Sequence, residues 1–234
     1  KKFNLIFENI IFLSSEIILV LTAVVLLMVG AFKKKNNAKI VVYFSFIVLI
    51  LLSIVEMLVP WSSVTIFNNS IIQNGYTRFV KIMIYFSSSF AIILSSRWLM
   101  KYDDKAFEYP ILILFSVLGM SLMVSANDLI TLYLAIELQS LPLYVLASFK
   151  RNNTESSEAG VKYFVLGALS SSLFLFGASI VYGFSSSVEF GEIYQSLQAS
   201  EINTALIIGL VFVLSGLIFK ISAVPFHMWT PDVY

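Results

Sequence analysis

Cysteine is absent from the chain, and histidine occurs once. Without thiolates it forms no disulfide, and with one imidazole it lacks the clusters that hold iron–sulfur centres, haem or structural zinc. Redox chemistry therefore belongs to other chains. Charge is scarce as well: 12% of residues are charged, with fifteen cations against fourteen anions and a net charge of +1. They are confined mostly to short loops and form no basic face, which excludes nucleic acid as a partner. The ten glycines supply no phosphate cradle. Gly167, Gly177 and Gly183 lack dinucleotide-fingerprint spacing and lie in an apolar run, where they read as helix-packing contacts. What abounds is apolar: 59% hydrophobic residues, 21 of them Phe, and a mean hydropathy of +0.90. That composition is a membrane protein's, and the lipid bilayer is its solvent.

A bilayer core takes about 20 apolar residues per helix, and the chain offers seven such runs, at 10–32, 40–59, 77–100, 110–126, 128–149, 160–184 and 202–229. The fold class expected is an all-α polytopic helix bundle. The first run ends in Lys33, Lys34 and Lys35 rather than a small-residue cleavage site, so it reads as a true span. Loop charges set the orientation, because Lys and Arg accumulate on the inner side. Lys33, Lys34, Lys35 and Lys39 follow the first run, Lys101 and Lys105 the third, Lys150 and Arg151 the fifth. The segment 185–201 holds Glu189, Glu192 and Glu201 without a cation, and the Asn127–Asp128 turn is equally free of positive charge. This alternation places the N-terminus outside.

Ionisable residues inside such runs cost roughly 2.5 to 3.5 kcal/mol at mid-helix and mark function by default. Two stand out. Glu137 lies nine residues beyond Asp128, a natural N-cap, so it is sunk by about 13 Å and cannot reach the interface. Lys220 lies in a run of 28 residues, longer than a crossing needs, and Gly216 and Pro225 predict that its helix is interrupted. Glu137 precedes Pro142 by five residues, and Lys220 precedes Pro225 by five. Each proline deprives the carbonyl four positions earlier of its helical donor, which predicts internal water beside both charges. A static ion pair that only fixes helix register is the competing reading. Lys162 is open between proton entry and a helical pair with Glu158, four residues earlier. Glu16, Glu56, Arg78, Lys81 and Arg97 fall within about two turns of predicted helix ends and read as interface anchors. His227, two residues before Trp229, reads as an anchor as well.

The stretches "NDLITLYLAIELQSLPLYVLASFKR", "TESSEAGVKYFVLGALSSSLFLFGASIVYG" and "GLVFVLSGLIFKISAVPFHMWTPDVY" resemble the family of subunit 2, subunit N in bacteria, of respiratory complex I, the proton-pumping NADH:quinone oxidoreductase. The likeness runs from about Tyr76 to Tyr234 and is looser over residues 1–75. It implies an antiporter-like fold with a discontinuous seventh helix, of which this chain is the N-terminal half. Residues 1–109 would form helices 1–3, and 110–234 the start of the first repeat, helices 4–7. It implies that Glu137 is the carboxylate of the fifth helix, Lys220 the lysine of the broken seventh, and Lys162 the lysine opening the sixth. No cofactor is expected in this chain; NADH, FMN, iron–sulfur clusters and ubiquinone would lie in other subunits. Partners would be the other membrane-arm subunits, lipid, and the missing C-terminal half or a split-gene equivalent. The family has an acidic residue just before the third helix where this chain has Asn74. Richness in Ile, Phe, Lys and Asn points to an AT-rich genome and the mitochondrial inner membrane, with a bacterial inner membrane as the alternative. The function expected is proton translocation by a Glu137–Lys220 pair coupled to quinone reduction. The alternatives are a cation/proton antiporter subunit and an inert membrane spacer.

Overall fold

A computed structural model describes residues 10–32, 37–59, 61–102, 107–150, 152–199 and 204–233, with backbone alone at 37, 97–102 and 199. The expected inner-loop charges Lys33, Lys34, Lys35, Lys105 and Arg151, the side chains of Arg97 and Lys101, and Glu201 lie outside the described residues. Each of the first six apolar runs forms a helix and the seventh is helical as far as Lys220, as backbone in hydrocarbon must satisfy its own hydrogen bonds. The helices are α1 (Ser14–Phe32), α2 (Asn37–Leu58), α3 (Gly75–Tyr102), α4 (Glu108–Ser125), α5 (Leu129–Ala147), α6 (Thr154–Ser185), α7 (Phe190–Ala199), α8 (Thr204–Lys220) and α9 (Thr230–Val233). The first six are long and apolar enough to cross a membrane, and α8 is a shorter apolar helix of 17 residues.

The chain divides into two compact units, Lys1–Ser125 and Ala126–Tyr234. In the first, α1 packs on α2 and α4, and α3 on α2 and α4. A two-stranded antiparallel hairpin departs from the expected all-helical plan, pairing Val64–Ile66 with Ile71–Gln73. Its signal is present in "VTIFNNSIIQ": β-branched residues flank a turn whose Phe67, Asn68 and Asn69 have φ of 53°, 52° and 66°, a backbone that asparagine tolerates better than most residues. Asn74 then caps α3: its Oδ1 accepts from Thr77 N–H and Thr77 Oγ1 from Asn74 N–H, each at 2.9 Å. Asn74, where the resemblance leads to the expectation of an acidic residue, is thus a helix cap in this chain.

In the second unit α6 packs against both α5 and α8. Asp128 is the N-cap of α5, with Oδ1 accepting from Thr131 N–H at 2.6 Å. The two cation-free segments lie together, since Leu129 N–H donates to Val188 O at 3.0 Å and Phe190 N–H to Asn127 O at 3.2 Å. The amphipathic helix α7 contributes Ile193 to an apolar core with Leu129, Phe174, Val181, Leu206 and Val213. Glycines let α6 and α8 close: a Cβ on Gly177 would lie 2.6 Å from Gly209 O, and one on Gly216 would lie 2.8 Å from Phe174 Cβ. Gly183 departs from its expected packing role, as a Cβ there would meet nothing within 4 Å.

Candidate functional site

Helix α8 stops at Lys220, and residues 221–229 run as turns before α9 begins at Thr230. The interruption expected from Pro225 is therefore present, and it places the ammonium at a helix C-terminus, where the helix dipole favours a cation. Helix α5, by contrast, continues through Pro142 without a break. Proline in mid-helix removes one backbone hydrogen bond, and the rest of this helix, packed against α6, holds its course.

Glu137 projects from α5 and Lys220 from the end of α8, and the fold brings them together: Lys220 Nζ lies 3.6 Å from Glu137 Oε1. The ammonium also donates to Ser140 Oγ at 2.9 Å and to Tyr144 Oη at 3.2 Å, both from α5. Three N–H donors thus face three oxygens. Ser140 and Tyr144 follow Glu137 by three and seven residues, so one face of α5 presents carboxylate, hydroxyl and phenol in a column. Ser171 of α6 donates to Glu137 Oε1. Ser170, its neighbour, donates to Gly216 O at 3.0 Å and ties α6 to α8 beneath the site.

Both side chains are largely withdrawn from the surface of the described chain, 23% exposed for Glu137 and 17% for Lys220. Beside them lies a small cavity whose lining includes Tyr133, Ile136, Glu137, Ser171, Phe174 and Lys220. Its volume of about 10 Å³, counted as room for the centre of a water molecule, is about what one water needs. The cavity thus has room for one internal water beside the pair. Below Lys220 an aromatic stack closes the unit: Tyr144 meets Tyr163 edge-on at 4.7 Å, Tyr163 stacks on Trp229 at 4.4 Å, and Trp229 on Phe219 at 5.6 Å. His227 is exposed on the turn just before Trp229.

Lys162 is placed elsewhere. It pairs with Glu158 at 2.8 Å, one helical turn earlier, and with Asp232 at 3.0 Å on α9, with its side chain 42% exposed. It does not join the Glu137–Lys220 contact. Ser140, Tyr144 and Ser171 were missed from the sequence; the three- and four-residue spacings on α5 could have suggested the first two, but nothing in the sequence aligns α6 with α5 to reveal the third.

The interface-anchor reading of Glu16, Glu56, Arg78 and Lys81 is overturned. They are 4%, 4%, 1% and 0% exposed, gathered inside the first unit, and Lys81 pairs with Glu16 at 2.5 Å. Distance from a helix end says how deep a residue lies; it does not say whether its face meets lipid or another helix.

Among known proteins, residues 126–234 match the family described as NADH:quinone oxidoreductase/Mrp antiporter, TM. The chain is 54% identical over 175 residues to NADH-quinone oxidoreductase subunit N of Parvibaculum lavamentivorans, covering 75% of this chain and 36% of that protein. It is 50% identical over 169 residues to the subunit N of Rhodospirillum rubrum, covering 72% of this chain and 35% of the relative. The chain thus spans about a third of the length of these curated relatives. Among solved structures, respiratory complex I from Thermus thermophilus with bound aureothin contains a chain with a TM-score of 0.78 and 29% identity, covering 94% of this chain and 47% of that one. An archaeal membrane-bound sulfane sulfur reductase shares the fold, with a TM-score of 0.73 and 21% identity over 96% of this chain and 47% of that one.

Proposed function

We propose, from the match of residues 126–234 to the family described as NADH:quinone oxidoreductase/Mrp antiporter, TM and from the likeness to bacterial subunits N, that the chain is part of a membrane-arm subunit of a proton-pumping NADH:quinone oxidoreductase. It moves protons through Glu137 and Lys220 and leaves electron transfer to other subunits. The observation that carries this is the 3.6 Å approach of the two charges at the end of a broken helix, beside a water-sized cavity.

Opposite charges at such a distance attract by about 4 kcal/mol at an effective dielectric of about 20, so moving Lys220 relative to Glu137 changes how firmly each holds a proton. With the ammonium close, the carboxylate is stable as an anion. When the end of α8 carries Lys220 farther from Glu137, the carboxylate takes up a proton relayed through the adjacent water, which is itself reprotonated from the uptake side, while Ser171 holds the carboxyl group in place. The turn at 221–229 lets the end of α8 move without unwinding a full helix. Lys162, on the surface network with Glu158 and Asp232, is assigned to proton entry at the start of α6. NADH, FMN, iron–sulfur clusters and ubiquinone belong to partner subunits on this reading. The bacterial origin of the relatives named above favours a bacterial inner membrane over a mitochondrial one. The family's inclusion of Mrp antiporters supports a second reading, a cation/proton antiporter subunit.

The test uses the full-length subunit in its assembled complex. Glu137→Gln and Lys220→Ala each leave the complex assembled and abolish NADH-driven proton translocation. Undiminished translocation in either variant rejects the proposal, and sodium transport by the full-length subunit alone would establish the antiporter reading.

A further inference from the structure

A second acid–base cluster lies inside the first unit, on residues outside the Glu137–Lys220 site. Four helices build it. From α1 come Ser15 and Glu16, from α2 Glu56, from α3 Arg78 and Lys81, from α4 Ser121. Lys81 Nζ meets Glu16 Oε1 at 2.5 Å, and Ser121 Oγ donates to the same oxygen at 3.2 Å. The other oxygen, Glu16 Oε2, lies 2.9 Å from Ser15 Oγ, and that same hydroxyl lies 2.5 Å from Glu56 Oε1.

A hydroxyl has one proton to give. Between two ionised carboxylates Ser15 could satisfy one of them and would set its lone pairs against the other, at a site where Ser15 itself is 1% exposed and unpaired polar contacts are costly. A proton on one carboxyl group resolves the conflict. Glu16 is held as an anion by Lys81, so the proton falls to Glu56. Its O–H then donates to Ser15 Oγ while Ser15 O–H donates to Glu16 Oε2. We propose that Glu56, Ser15 and Glu16 form a proton-binding relay within the first unit, with Glu56 as the resident acid.

Transfer through the relay moves one proton and no electrons. The Glu56 O–H bond breaks as its proton passes to Ser15 Oγ, and the Ser15 proton passes to Glu16 Oε2, leaving Glu56 as the anion. The countercharge for that anion is already in place. Among the described residues, the charged and titratable groups facing Glu56 are Glu16, Lys81, Arg78 and Tyr85. Arg78, 1% exposed, has no hydrogen-bond partner for Nε or Nη1 among the described residues, and its guanidinium stands 5.7 Å from the centre of the Phe12 ring. It is a buried cation left available for a carboxylate that alternates between neutral and charged.

Infrared difference spectroscopy of the full-length subunit in its complex tests this. The wild type shows a protonated-carboxyl C=O band that Glu56→Gln removes, and Ser15→Ala, which keeps both acids, shifts that band by deleting its acceptor. Glu56→Gln keeps the Tm of the wild type, because the amide mimics the neutral acid, and lowers proton translocation by about 100-fold, the low end of a positioned proton-transfer group's contribution. A wild-type spectrum with no band lost in Glu56→Gln, or a band unmoved by Ser15→Ala, overturns the relay. So does unchanged translocation. The infrared readout is independent of the Glu137–Lys220 proposal, so either can fail alone.

Discussion

Lys220 and Lys81 are both ammonium groups within apolar helices, and they are accommodated in different ways. Lys220 keeps three distinct oxygen partners, of which one is charged and two are neutral, so its proton can be shared without stranding a full charge. Removing Ser140 Oγ by Ser140→Ala takes away one charge-assisted hydrogen bond and is expected to cost about 1.5–3 kcal/mol, read as a lowered Tm in detergent, with slowed proton translocation. Lys81 is fully buried against Glu16. Lys81→Met strands a carboxylate and is expected to cost about 3–5 kcal/mol, whereas Lys81→Met combined with Glu16→Leu restores most of it, because a buried pair is worth little against apolar packing. A double variant no more stable than the single one would contradict that account. Lys162 tests the opposite limit. Its pairs with Glu158 and Asp232 sit at the surface, so Lys162→Ala leaves Tm unchanged, while a role in proton entry requires a slower translocation rate.

At the scale of elements, the decisive contact is between α6 and α8. Glycines at 177, 209 and 216 bring the two backbones close enough for Ser170 to reach Gly216 O, and that closeness holds the end of α8 beside Glu137. Gly177→Leu forces side-chain atoms into Gly209 and Val213 and is expected to lower Tm by the equivalent of about 1–3 kcal/mol, the usual scale of overpacking. Gly183→Leu, on the same helix with open space around it, does not lower Tm, because it meets no neighbour and gains helix propensity. Equal effects from the two would mean that helix propensity, not the crossing, governs this stretch. The break after Lys220 matters as well: it leaves the lysine at a helix C-terminus, where the helix dipole favours its charge.

For the whole molecule, the seven apolar runs, the capping Asp128 and the interrupted last span were legible in the sequence, because a bilayer leaves backbone only a few solutions and those solutions have fixed lengths. The same constraint singled out Glu137, sunk too deep in its run to reach the interface, and Lys220, set in a run of 28 residues that is longer than a crossing needs. Helix length and depth are local properties, written residue by residue. Direction around the helix axis is not. Which side of α1, α2 and α3 faces a neighbour is settled only when the helices pack, and packing turned four supposed interface anchors into the buried cluster of Glu16, Glu56, Arg78 and Lys81. Likewise Ser171 became a partner of Glu137 only through the placement of α6 on α5. The sequence by itself determined where the apolar helical runs lie and that Glu137 and Lys220 are set within them. The tertiary structure alone decided which of those charges meet, since lipid is indifferent to the rotation of an apolar helix and only contact between side chains is not.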